Sequence, residues 1–339
     1  MDTTERRTLP RTGLRVPVFG LGCAQLGGLY RAMSDDDAAL LIDAAWQRGV
    51  RMFDTAPYYG HTRSERRLAD ALAQRPRGEY VLSSKVGRLM RPAPNIGAVE
   101  NGFVDPLPWR PEYDYSRDGV LRSFDDSLRR LRVSRLDIVY VHDIGPATHG
   151  PEHAAYWRQL TRGGGFRALE ELRTSGAAGA IGLGVNEWQV AHAAMDEIAL
   201  DCTMLAGRYT LLEQGALVPF LAACARRGHA VIVAGPFNSG ALAGGATFDY
   251  APMPADVRER VLALQRLCEA HGVALATAAL QFPLAHPQVV SVIPGMNSPR
   301  QVADAVRLME TKIAPTLWSD LKNEGLIRAD APVPQPAHA

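Results

Sequence analysis

The sequence predicts an α/β fold, a closed (β/α)8 barrel of TIM type, on three observations. Apolar runs of strand length alternate with helical patterns along nearly the whole 339-residue chain. Eight such strand–helix units follow one another. No composition break or Pro/Gly-rich linker divides them. Strands alternating with helices imply a parallel sheet. Eight units over about 250–300 residues suit a closed barrel better than an open doubly wound sheet, the alternative fold.

The elements follow in order. Arg6 to Pro17 carries Leu9-Pro10 and Thr12-Gly13, a turn between short strands, and is expected to form a hairpin plugging the barrel bottom. Val18–Cys23 is the first barrel strand. Ser34 caps the first helix with Asp37 at the capping-box position; Ala38, Leu41, Ile42 and Ala45 share its buried face and Gly49 stops it. The later strands are Val50–Thr55, Tyr80–Lys85, Leu136–Val141, Ala180–Val185, Cys202–Ala206, Ala230–Ala234 and Val289–Ile293. Helices are read at 64–73, 120–131, 166–173, 190–198, 217–227, 257–271, 275–285 and 299–309. Residues 87–115, after the third strand, form a long insertion rich in Pro and aromatics; a loop of that length is functional or disordered, and its aromatics favour an ordered wall of a pocket. Residues 7–328 are read as one barrel domain, with 1–6 and 331–339 as mobile termini.

Composition narrows the function. Hydrophobic residues are 47% and charged residues 22%, enough for a large core and against general disorder. Lys plus Arg is 37 and Asp plus Glu 36, a net charge of +1, which argues against a protein built to grip nucleic acid. Four cysteines lack C-x-x-C spacing and read as reduced thiols. No apolar run of about 18 residues suggests a membrane span. No secretory h-region is visible, so a cytoplasmic location is expected. Oligomeric state is not legible.

Barrel active sites lie where the strands end at their C-terminal face. Strand two ends at Asp54, with Tyr58 and Tyr59 following; strand three ends at Lys85; strand four at His142, followed by Asp143; strand five at Asn186. A free phenol titrates near pH 10 and exchanges protons poorly at neutrality. An adjacent ammonium is expected to lower that value, a carboxylate to hold the ammonium, and an imidazole to orient a substrate oxygen or relay its proton. Any one of these residues alone reads equally as an ion pair or cap. Together they suit proton exchange at an oxygen while hydride moves at the attached carbon. Spacing does not separate Tyr59 from Tyr58.

The segments Phe53-Asp54-Thr55-Ala56-Pro57-Tyr58-Tyr59-Gly60, Ser84-Lys85, Val141-His142-Asp143 and Gly182-Leu183-Gly184-Val185-Asn186 resemble the aldo-keto reductase family, over a span from Leu9 to Leu326. The resemblance implies a barrel using NAD(P)(H), gives the four catalytic roles to Asp54, Tyr59, Lys85 and His142, and selects Tyr59. Phe19-Gly20-Leu21-Gly22-Cys23-Ala24-Gln25-Leu26-Gly27-Gly28-Leu29-Tyr30, the stretch from Tyr59 to Arg67 and that from Ala206 to Leu212 resemble the branch holding L-fucose dehydrogenase (D-threo-aldose 1-dehydrogenase) and pyridoxal 4-dehydrogenase. The implied reaction is oxidation of an L-fucose-like aldose at its anomeric carbon to the lactone. Pyridoxal 4-dehydrogenase and a general aldehyde or ketone reductase are alternatives, as is a low-turnover nicotinamide-binding regulatory subunit. Cofactor contacts are expected from Gly22, Cys23, Asn186, Gly235, Phe237, Ser239, Gly295, Asn297, Gln301 and Asp304, and substrate contacts from Trp109 and Tyr113. The family's strand-six Gln is replaced by Ala206, and its strand-seven aromatic by Ala234. NADP-preferring relatives carry Lys and Arg where Gly295 and Gln301 stand, so NAD is preferred and NADP kept open, with Arg300 nearby.

Other motifs carry less. Gly20-Leu21-Gly22 lacks the third glycine of a dinucleotide fingerprint. His149 and His153 lack the Glu of a zinc-binding H-E-x-x-H, and no metal is expected. Arg129-Arg130-Leu131-Arg132 reads as a solvated helix end.

Overall fold

The computed structural model describes residues 1–335. Eight parallel strands run side by side in chain order: β1 Leu21–Gly22, β2 Met52–Asp54, β3 Val81–Val86, β4 Leu136–His142, β5 Ala178–Val185, β6 Cys202–Ala206, β7 Ala230–Ala234 and β8 Val289–Ile293. Single bridges Phe19↔Val292 and Gly22↔Gly295 join β8 to β1 and bring the sheet round into a (β/α)8 barrel. All eight strands overlap the runs read from the sequence.

Side chains alternate along a strand, so each strand has a lumen face and a helix face. Met52, Val81, Ile138, Tyr140, Ala180, Cys202, Met204, Ala230, Ile232, Val290 and Ile293 form one buried cluster inside the barrel. Leu9 and Val16 join it from the hairpin of Arg6–Thr8 and Arg15–Pro17, which plugs one end. Residues such as Phe53, Val139, Val141, Ile181 and Leu205 face outward and pack with the helices in a larger cluster. The first helix, Asp35–Gln47, begins where expected: the Ser34 hydroxyl accepts from the Asp37 N–H at 3.0 Å.

Three regions were less legible. Residues 87–115 form antiparallel ribbons, Arg88–Pro92 with Trp109–Tyr113 and Val99–Glu100 with Phe103–Val104. The Val104 N–H donates to Gly28 and the Leu107 N–H to Gly60, docking the insertion on the loops after β1 and β2. Helices at His153–Thr161 and Pro315–Asn323 were not anticipated. Arg130 is not solvated: it pairs with the fully buried Glu65, while Arg132 reaches Asp70 at 2.7 Å.

At the chain ends, the Met1 ammonium donates to the Met309 carbonyl at 2.6 Å, Thr3 is buried, and Ala331 packs in the outer core. Residues 336–339 lie outside the described residues. All four cysteines are buried free thiols.

Candidate active site

The lumen alternation explains why the candidate residues meet. Asp54 stands two residues after lumen-facing Met52, Lys85 four after Val81, and His142 two after Tyr140. All three therefore face inward at the C-terminal ends of β2, β3 and β4. Lys85 Nζ donates to Asp54 Oδ2 at 2.6 Å and to the Thr55 carbonyl at 2.9 Å. Ser83 donates to Asp54 Oδ1 at 2.7 Å, so both carboxylate oxygens are engaged. Gly184 leaves the path of the lysine open; a Cβ there would stand 3.2 Å from Lys85 Cε.

Tyr59 closes the group. The Lys85 ammonium lies 4.7 Å from its ring centroid, and the His142 ring meets it edge-on at 5.9 Å. Tyr58 instead lies under Arg88, whose guanidinium is 4.2 Å from its ring. The turn that delivers these tyrosines is strained: Gly60, His61 and Thr62 have φ of 60°, 52° and 83°. Left-handed backbone at a β-branched residue is rare, and such strain gathers at functional sites. Gly60 is pressed against Gly27 across the loops, with a would-be Cβ 2.3 Å from the Gly27 oxygen.

The electrostatics correct one expectation. Burial raises the Tyr59 phenol above its ordinary value; Lys85 pulls it back, and Asp54 adds to the rise. The net effect is upward, because desolvation outweighs the single ammonium whose charge Asp54 already offsets. Burial opposes the Lys85 ammonium, but Asp54 and Tyr59 outweigh it and hold the amine above its usual value. Burial raises Asp54 despite Lys85 and Ser83. Burial, with Arg88 and Lys85, keeps His142 well below the ordinary imidazole value and therefore neutral. Tyr58 is pushed up to about 12, chiefly by burial. The resting site is an ammonium–carboxylate pair, a neutral phenol and a neutral imidazole.

The family model for the aldo/keto reductases matches residues 18–323. The chain belongs to the aldo/keto reductase family. It is 47% identical to pyridoxal 4-dehydrogenase of Microbacterium luteolum, over 96% of this chain and 99% of that protein. It is 38% identical to D-threo-aldose 1-dehydrogenase of a Pseudomonas species, over 93% and 96%. Among solved structures, a holo aldo-keto reductase from Bacillus halodurans superposes with a TM-score of 0.72 at 22% identity, covering 96% of this chain and 97% of that one.

Aldo/keto reductases use nicotinamide cofactors, and the remaining arc of the barrel mouth has residues that fit one. Gly22 lies between Asp54 on one side and Gly295 on the other. Cys23 is buried, with its N–H on the Asp54 carbonyl, and burial pushes its thiol well up. Gln25, which the sequence did not single out, has a buried Oε1 with no partner among the described residues and crowds Gly295, where a Cβ would stand 2.4 Å from its Nε2. That orphaned carboxamide oxygen beside Gly295 fits a polar ligand. After β7, Gly235, Asn238 and Ser239 are all left-handed, and Phe237 is half-buried against the outer core. Asn297 N–H donates to Gln301 Oε1 at 2.8 Å beside the helix Pro299–Glu310, which Ser298 caps; Asp304 in that helix holds Arg307 at 3.0 Å. Asn186 donates to Asp143 at 3.2 Å and accepts from the Tyr250 hydroxyl at 3.4 Å.

The expected substrate contacts divide. The Trp109 carbonyl meets the His61 ring. Tyr113 packs edge-on against His149 at 4.7 Å, in a cluster with Tyr115 and Tyr156, and reaches the site through Arg88 at 5.5 Å. Phe103 is buried and tilted over Tyr59 at 6.2 Å, and Tyr58 meets Phe103 edge-on at 5.6 Å. His149 and His153 are engaged by the Tyr115 hydroxyl and the Ile144 carbonyl.

Proposed function

We propose that this aldo/keto reductase oxidises a cyclic hemiacetal with NAD, removing hydride from the anomeric carbon of an L-fucose-like aldose and leaving its lactone. One observation carries the reading: the Lys85 ammonium, held by Asp54 at 2.6 Å, lies 4.7 Å from the Tyr59 ring, with His142 against the same ring. Tyr59 takes the proton of the anomeric hydroxyl, Lys85 stabilises the phenolate so formed, and His142 orients the oxygen. When bound, the nicotinamide supplies the hydride acceptor. Because Tyr59 rests as a phenol, oxidation gains with rising pH. In the reverse direction the same phenol is the acid.

We assign the cofactor to Gly22, Cys23, Gln25, Asn186, Gly235, Phe237, Ser239, Gly295, Asn297, Gln301 and Asp304. Gly295 and Gln301 offer no cation to a 2′-phosphate, which supports NAD. Arg300 is exposed and 3.8 Å from Asp304, which competes for it.

Pyridoxal in its hemiacetal form is the second reading. The 47% identity to a pyridoxal 4-dehydrogenase and the aromatic wall of Tyr58 and Phe103 favour it, and the ring chemistry is the same. The test is turnover of L-fucose, L-galactose, D-arabinose and pyridoxal with NAD and NADP, followed by absorbance of the reduced cofactor. NAD-linked multiple turnover of one of these, and a loss of about 10²–10⁴-fold in Tyr59→Phe, are expected. Single turnover only would point to a regulatory nicotinamide-binding role, and an unimpaired Tyr59→Phe enzyme would end the mechanism. A large NADP preference would overturn the cofactor assignment.

A further inference from the structure

We infer that Arg88 is a positioning residue for His142: it holds the Asp143 carboxylate, so the imidazole Nε2 stays free for the substrate oxygen. The inference rests on the oxidoreductase reading of this site and not on which hemiacetal is the substrate.

The geometry begins at Gly87. Its φ is +97°, and a Cβ would lie 2.3 Å from Tyr115 Cε1, so only glycine makes this turn out of β3. The turn sends the backbone into the insertion while the next side chain, Arg88, is 4% exposed and covers the Tyr58 ring at 4.2 Å. Its Nη2 donates to Asp143 Oδ2 at 2.8 Å. The same oxygen is 3.4 Å from His142 Nε2, too long for a good hydrogen bond. Asp143 Oδ1 is taken by Asn186. Both carboxylate oxygens are thus occupied before His142 is reached.

The groups facing His142 are Lys85 and Arg88 from β3 and its extension, Tyr58 and Tyr59 from the loop after β2, and Asp143 on its own strand end. The Tyr115 hydroxyl, which also contacts His149, donates to the His142 carbonyl at 2.8 Å. Burial first, and then the Arg88 and Lys85 cations although Asp143 and Asp54 pair with them, disfavour a further cation on the imidazole. His142 Nδ1 is buried without a partner among the described residues, and a bare lone pair there costs less than an orphaned N–H. The proton therefore sits on Nε2, directed into the mouth. Without Arg88, the Asp143 carboxylate, 18% exposed, would find its nearest counter-charge in a protonated His142. That pairing would occupy Nε2 and put a cation beside the oxygen, opposing hydride departure from the attached carbon.

The test compares Arg88→Gln, Arg88→Lys, Asp143→Asn and the Gln/Asn double variant. ¹³C-histidine NMR follows the His142 imidazole, assigned by its loss in His142→Gln, alongside the pH profile of kcat/KM for oxidation. In the parent, Arg88→Lys and Asp143→Asn, His142 should titrate below the ordinary imidazole value of about 6.5. In Arg88→Gln it should titrate at or above about 6.5, and its kcat/KM as a fraction of the parent's should be about tenfold lower at about pH 5.5 than at about pH 8. The double variant should return to the parent titration. A merely structural role would move Arg88→Gln and Asp143→Asn alike, and that result, or an unshifted imidazole in Arg88→Gln, overturns the inference. If Arg88→Gln does not fold, a raised His142 titration in Asp143→Asn overturns it alone.

Discussion

Replacing Lys85 with Met removes the ammonium beside Tyr59 and strands Asp54. At 4.7 Å, with an effective dielectric constant of about 20, the ammonium contributes about 3–4 kcal/mol to a charge on that ring. If the phenolate is the base, this corresponds to about two to three decades of rate near neutral pH. The assay is kcat/KM for hemiacetal oxidation between about pH 7 and pH 10, below the value to which burial raises Tyr59. Because burial keeps the phenol of both enzymes largely protonated over this span, kcat/KM should rise with pH in each and the loss should stay level. Stability supplies a second readout. Breaking a buried ion pair costs about 3–5 kcal/mol when the remaining charge is uncompensated. Asp54 can escape by binding a proton, so the folded carboxyl titrates higher than the unfolded one. The stability lost relative to the parent is then least at low pH and grows as pH rises through the folded value of that carboxyl. Activity within a few-fold of the parent near neutrality, or a parent kcat/KM that does not rise with pH, would refute a lysine that acts through the phenol.

Two further outcomes follow from packing and burial. Gly60→Ala drives a Cβ to 2.3 Å from the Gly27 oxygen at a φ of +60°; a loss of about 1–3 kcal/mol in denaturant unfolding and a fall in kcat/KM from the displaced Tyr59 are expected, and an unchanged midpoint would show that the two loops do not touch. His229 is buried between the Thr203 hydroxyl at 2.9 Å and the Leu200 carbonyl at 3.1 Å, and burial pushes it down to about 4. Its contribution is whole above the unfolded value of about 6.5 and is lost as pH falls toward about 4, amounting to about 2 kcal/mol at about pH 5. Urea unfolding of His229→Gln should therefore lose less stability between pH 7 and pH 5 than the parent does, and an equal loss would count against a neutral His229.

The order of elements was legible because each barrel strand is a buried apolar run and each helix carries a 3.6-residue stripe; both are local periodicities. The reactive set was legible for the same reason. Once Met52, Val81 and Tyr140 are taken as lumen residues, the period of two puts Asp54, Lys85 and His142 at one mouth. The helix Pro315–Asn323 and the ribbons of residues 88–113 were missed because their sequences lack a long repeat, and their pairing partners set their form.

By itself, then, the chain determined its barrel and the kinds of group at its mouth, since both follow from spacing along single strands. Tertiary structure decided which tyrosine meets the ammonium, that Arg88 occupies Asp143, that Gln25 crowds Gly295, and that burial outweighs Lys85 in setting the phenol. Each of these is a contact or a desolvation created by segments far apart in the chain. Their magnitude depends on distances of a few ångströms, which no one-dimensional pattern carries.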